Sequence, residues 1–184
     1  ESTPQQIPTP AQSGITAGTA ETYWTGGNSA WAVALAKAGY TIESLTPCSG
    51  RITYGDGTNA QDLSNYSVFI VNEPNVVFTA AEKTAILNFV NAGGGLFMIA
   101  DHGCTTLCAT EPEADRNGDG WNSTEVWNDL MSGDPFGIQF NNDQVTNVTS
   151  TFSSSSDPII SGTAGTVTQT SFNQGSSMST NTCS

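Results

Sequence analysis

The chain has 184 residues, with four Lys and Arg against seventeen Asp and Glu and a formal net charge of −13. So few cations leave nothing to grip phosphate, so neither nucleic acid nor an anionic lipid surface is expected as a partner. No apolar run reaches membrane-spanning length, and the chain provides core for one ordinary domain.

Residues 1–13, with Pro4, Pro8 and Pro10 among small polar residues, read as a linker left after removal of a signal peptide. Residues 14–184 are then expected to form a single α/β domain in a secreted, extracellular protein. Four cysteines suit two disulfides in an oxidising compartment. Of the three connectivities that four cysteines allow, Cys104–Cys108 and Cys48–Cys183 are the expected pair. The triplets at Asn65, Asn122 and Asn147 match the glycan acceptor pattern, which would make this a glycoprotein wherever its source glycosylates.

In chain order, a first strand is expected within Gly14 to Tyr23. A helix follows with Asn28 or Ser29 as N-cap, Trp31, Ala34, Leu35 and Ala38 on its buried face, and Gly39 as its stop. Tyr40 to Leu45 alternates as a second strand, and the glycine-rich residues after it read as an exposed connection. Val68-Phe69-Ile70-Val71, ending in Asn72-Glu73-Pro74, has the pattern of a central parallel strand. Thr79-Ala80-Ala81-Glu82 is a capping box opening a helix that buries Ile86, Phe89 and Val90 and ends at Gly93-Gly94. The apolar run Leu96 to Ala100 delivers Asp101 and His102 to the end of the next strand. Asn122 or Ser123 caps a helix with Val126, Trp127, Leu130 and Met131 apolar and Gly133 at its close. Beyond it, Phe136 to Phe140, Val145 to Val148 and Gly165 to Val167 are short strand candidates between Ser- and Thr-rich loops. The alternation of strands and helices predicts an α/β fold with a doubly wound, mainly parallel sheet, helices on both faces, and a β-rich, loop-rich C-terminal part.

The strand Val68 to Val71, the phrase Thr79 to Gly95 and the next strand into Asp101-His102 resemble the class I glutamine-amidotransferase-like superfamily. The likeness is strongest to a secreted branch in which an Asp-His pair precedes an Asp-Arg-Asn-x-Asp-Gly-Trp segment. The resemblance implies a flavodoxin-like fold with its site at the carboxyl edge of the sheet. It does not carry the glutaminase triad, because the elbow that would hold a cysteine nucleophile reads Asp101-His102-Gly103 and His102 is the only histidine.

Two constellations carry chemistry. Asp115, Asn117, Asp119 and Gly120 fit the first half of a calcium loop, in which oxygen ligands alternate along a turn and a glycine at position six permits its bend. Trp121 would add its carbonyl. Position twelve is Val126, so Glu125, one residue early, is the expected closing carboxylate, with Asn122, Asp129 and Asp101 as further donors. The second constellation is Asp101 and His102, candidate catalytic residues as an acid–base pair. With Glu21 or Glu73 they would form a carboxylate pocket suited to glycoside hydrolysis, and Trp24, Trp121 or Trp127 would stack on a sugar. Two functions follow as expectations. One is a calcium-binding, disulfide-stabilised, non-catalytic domain serving self-assembly or glycan binding outside the cell. The other is an extracellular hydrolase of polysaccharide or peptide using Asp101, His102 and a nearby carboxylate.

Overall fold

Helix and strand nuclei arise where capping chemistry and apolar runs coincide. The computed structural model describes residues 14–24, 26–45, 51–103, 120–133, 135–153, 156–158, 160–162 and 165–180. Packing divides the chain into two units, Glu1–Phe69 with Phe78–Gly95, and Ile70–Val77 with Leu96–Ser184. The four cysteines and the calcium-loop residues Asp115, Asn117 and Asp119 lie outside the described residues.

In the first unit, α1 (Ser29–Lys37) buries Ser29, Ala32 and Val33. Trp24 packs with Ala32 and Val33, and Ile15, Ala36 and Ile42 cover them. The buried face is thus rotated from the one expected, and Trp31 is exposed. The cause is Ser29, whose Oγ donates to Glu21 O and accepts from Trp24 N, so that the segment before the helix is fastened over the Ala32 side. α2 (Ala80–Asn91) starts with the expected capping box, Thr79 accepting from Glu82 N while the Glu82 carboxylate accepts from Thr79 N. It ends where Gly93 adopts φ +95 and Gly94 N reaches Phe89 O. A Cβ on Gly94 would lie 2.3 Å from the Phe89 ring, which explains the glycine.

The connection before β1 (Val68–Asn72) is more ordered than its glycines suggest. Asp62, 1% exposed, accepts hydrogen bonds from Thr53 Oγ1, Gly55 N, Asp56 N, Ser64 N and Ser64 Oγ. It also caps a short 3₁₀ turn, Leu63–Asn65, that packs against α2. Burial opposes the charge on Asp62, but these donors outweigh it and hold the carboxyl well below the usual carboxylate range.

β1 pairs with β2 (Gly95–Ile99). Gly95 N donates to Ser67 O and Glu73 N to Ile99 O, a parallel register. The remaining strands belong to the second unit and fold back on one another. β3 (Ile138–Phe140) pairs with β8 (Met178–Thr180), β4 (Val148–Thr151) with β7 (Gln169–Phe172), and β5 (Ser161–Gly162) with β6 (Gly165–Thr166), all antiparallel. Gly175 bridges to both Val145 and Asp101. The core of this unit is α3 (Ser123–Leu130), whose Val126, Trp127 and Leu130 are buried with Met131 and Phe140. Asn128 fixes β3 by accepting from Phe140 N and donating to Phe140 O.

This architecture corrects the expected fold class. Among the described residues β1 and β2 are the one parallel pair, and the other six strands make three two-stranded antiparallel sheets. There is no doubly wound, mainly parallel, flavodoxin-like sheet with helices on both faces. The two N-terminal strands on which it depended do not form. Residues 14–24 make turns, with Thr19 N bonded to Thr16 O and Tyr23 N to Ala20 O. Tyr40 to Leu45 joins no ladder; its Glu43 carboxylate instead accepts from Tyr66 OH and Gln61 Nε2. Side-chain bonds thus hold that segment where strand pairing was expected. Among the described residues no helix is long and apolar enough to cross a membrane.

Candidate functional site

Asp101 and His102 stand where the sequence places them, just past the end of β2. Three elements of the second unit hold this stretch. The Asp101 backbone N–H donates to Ser123 Oγ at 2.9 Å, which fastens it to the first turn of α3. Asp101 also bridges Gly175. Gly103 N donates to Asp143 O at 2.7 Å, and a Cβ on Gly103 would run into Asn142 at 2.2 Å, so only glycine allows this approach.

His102 is 5% exposed. Its backbone N–H donates to Asp101 Oδ1 at 2.7 Å, its Nδ1 lies 3.4 Å from Gly103 O, and its Nε2 is 3.9 Å from Asp101 Oδ2. The ring is thus enclosed, with Gly103 O and the Asp101 carboxylate beside its two nitrogens. Around it runs a polar network. Asn122 Oδ1 accepts from Glu125 N and Thr124 Oγ1, and Asn142 Oδ1 accepts from Asn122 Nδ2 and Thr124 Oγ1. Asp143 accepts from Ser177 N and Ser177 Oγ; these bonds, Ser177 Oγ first, hold its carboxyl below the usual range. Asn142, Asp143 and Ser177 were not singled out from sequence, because nothing local distinguishes them from the surrounding loop-formers, and Ser123 was read only as a candidate helix cap.

Of the expected calcium ligands, two are described. Trp121 is 38% exposed. Glu125 is the N3 residue of α3, and its Oε2 accepts from Asn122 N at 3.0 Å. Gly120, position six of the loop, has φ +88, the left-handed conformation that the sharp bend requires. Glu73 and Glu21, the other acids considered, belong to different units: Glu73 to the second, with Asp101 and His102, and Glu21 to the first. Trp127 is fully buried, its Nε1 donating to Ile99 O, and Trp24 lies in the first unit's core, so both pack rather than offer a stacking face. Among the described residues no three His, Cys, Asp or Glu side chains form a metal-holding group.

Comparison with protein families, with curated proteins and with solved structures finds no match to this chain.

Proposed function

We propose that this protein is a secreted, calcium-binding module without catalytic activity, whose calcium loop runs from Asp115 to Glu125 and whose disulfides and ion stiffen a surface used for assembly or for holding glycan. The observation that carries the calcium reading is Gly120: where the spacing Asp115-x-Asn117-x-Asp119 calls for a bend, the backbone takes φ +88 and then enters a capped helix. The Glu125 carboxylate reaches back to Asn122 N through one oxygen, and a capping carboxylate in this position has a second oxygen to offer a hard cation. Asp115, Asn117, Asp119, the Trp121 carbonyl and Glu125 would hold the ion, which supplies rigidity rather than chemistry.

The non-catalytic half of the proposal draws its support from the burial of His102 and from the engagement of Asp101 Oδ1 by the His102 backbone. A general base has to reach a substrate proton at hydrogen-bond distance. The resemblance to amidotransferase-like proteins contributes only the placing of the site at the carboxyl ends of β1 and β2.

The test is thermal unfolding with chelator and with added calcium. An ion bound only by the folded form stabilises by about 2.7 kcal/mol when its free concentration is a hundred times the dissociation constant. Calcium is expected to raise the midpoint, and Asp119→Ala to remove the response of this loop. His102→Ala is expected to lower stability without removing any turnover. Melting curves indifferent to chelator would refute the calcium reading, and hydrolysis of a polysaccharide or peptide that His102→Ala abolishes would refute the non-catalytic one.

A further inference from the structure

The turn that leaves β1 buries two oxygens that no described residue bonds. Asn72 Oδ1 and Asn75 Oδ1 are both shut off from solvent, and neither has a hydrogen-bond partner among the described residues. Buried acceptors are almost always satisfied, so two within four residues call for an occupant. The orientation of the Asn75 amide is fixed, because its Nδ2 donates to Glu73 O at 2.9 Å, so the orphaned atom there is the oxygen.

The backbone between them is held under strain. Glu73 has φ 45, in the left-handed region, although it carries a side chain and precedes Pro74, a position steered toward extended conformations. Such a conformation persists only when its surroundings impose it, and it gathers at sites that bind. Here the imposing contacts are Glu73 N to Ile99 O and the Asn75 amide on Glu73 O. The first of these also fixes what lies alongside. In this parallel register Asn72 is level with Ile99 and Glu73 with Ala100, so Asp101 emerges one residue past the Glu73 level on the neighbouring strand, the two strands lying about 5 Å apart. One Asp101 oxygen accepts from His102 N; the other faces the His102 ring only at 3.9 Å, and the side chain is 28% exposed.

We propose that the Asn72–Asn75 turn and Asp101 form a second cation site, with ligands other than Asp115, Asn117, Asp119, Trp121 and Glu125, for a hard divalent ion of the calcium class. Asn72 Oδ1 and Asn75 Oδ1 are its neutral ligands and Asp101 its charged one. Amide oxygens and a carboxylate are the ligand set such ions take. A hydrogen-bond donor such as water would satisfy the amide oxygens alone, whereas a cation would also draw on the Asp101 carboxylate, in a chain whose net charge of −13 favours cations.

The experiment is calorimetric titration of calcium into the full chain, into the Asp119→Ala variant, and into that variant carrying in addition Asn72→Leu or Asn72→Asp. Asp119→Ala is expected to keep one saturable site, which Asn72→Leu weakens about tenfold or more. Asn72→Asp, adding charge at the orphaned position, is expected to tighten it. No calcium binding in Asp119→Ala, or both Asn72 variants titrating like their parent, overturns the proposal. Should the Leu variant not fold, the Asp variant decides alone: tighter binding supports the site, equal or weaker binding overturns it. Failure of the acidic-loop reading shows separately, as equal stoichiometry in the unmodified chain and in Asp119→Ala.

Discussion

Replacing Asp62 removes the acceptor around which the segment from Thr53 to Ser64 is arranged. In Asp62→Ala three backbone N–H groups, those of Gly55, Asp56 and Ser64, lose their partner, along with two hydroxyls that can rotate to water. Gly55 and Asp56 are exposed, so water replaces part of the loss, and about 1 kcal/mol for each N–H is the appropriate scale. The expected destabilisation is therefore about 3 kcal/mol, a fall in melting midpoint of about 6 to 12 °C for a chain of this length. Asp62→Asn, which keeps one oxygen, should lose roughly half as much. The pH dependence has a definite sign. The folded carboxyl titrates below its unfolded value of about 3.9, so its contribution is complete above that pH and drains away as pH falls toward the folded value. Chemical denaturation monitored by circular dichroism at pH 7 and in the acid range measures both. An Asp62→Ala protein as stable as the parent at pH 7, or one with an unchanged acid limb, would refute the role assigned to this carboxylate.

Two other substitutions probe separate links. Gly94→Ala sets a methyl 2.3 Å from the buried Phe89 ring, and it should cost about 2 kcal/mol or more in denaturant unfolding; a neutral result would mean the ring yields. Tyr66, partly buried and bonded to the Glu43 carboxylate, has its phenol pushed up to about 12, first by burial and then by Glu43. Ultraviolet titration should find one of the four tyrosines ionising last, a step that Glu43→Gln brings down. The neutral phenol favours folding, so its contribution is full below the ordinary value of about 10 and is lost as pH climbs through 12.

Signals confined to a few neighbouring residues were legible in the sequence. The Thr79–Glu82 box opens α2, Asn122 caps α3 with Glu125, and the apolar runs at Val68 and Leu96 become paired strands that carry Asp101 and His102 to their carboxyl end. What was not legible depends on partners distant in the chain. Tyr40 to Leu45 has strand alternation, yet Glu43 is held by Tyr66, and no local pattern announces that bond. Asp62 reads as a turn residue because its burial is created by donors on both sides of it. The orphaned Asn72 and Asn75 oxygens are two polar residues in a loop until their accessibility is known.

Gly175 gives the C-terminal half an order of assembly. β5 with β6, β4 with β7 and β3 with β8 join residues progressively further apart, so pairing can zip outward from Ser161 and Thr166 with little loop-closure entropy at each step. The bridge from Gly175 to Asp101 has no such neighbour to template it and closes a much larger loop. It belongs late on the folding route and early on the unfolding one. The hairpin arm can therefore let go of the β2 terminus while its own pairs stay zipped, and amide exchange at Gly103, whose N–H is bonded to Asp143 O, should outpace exchange within β4 and β7.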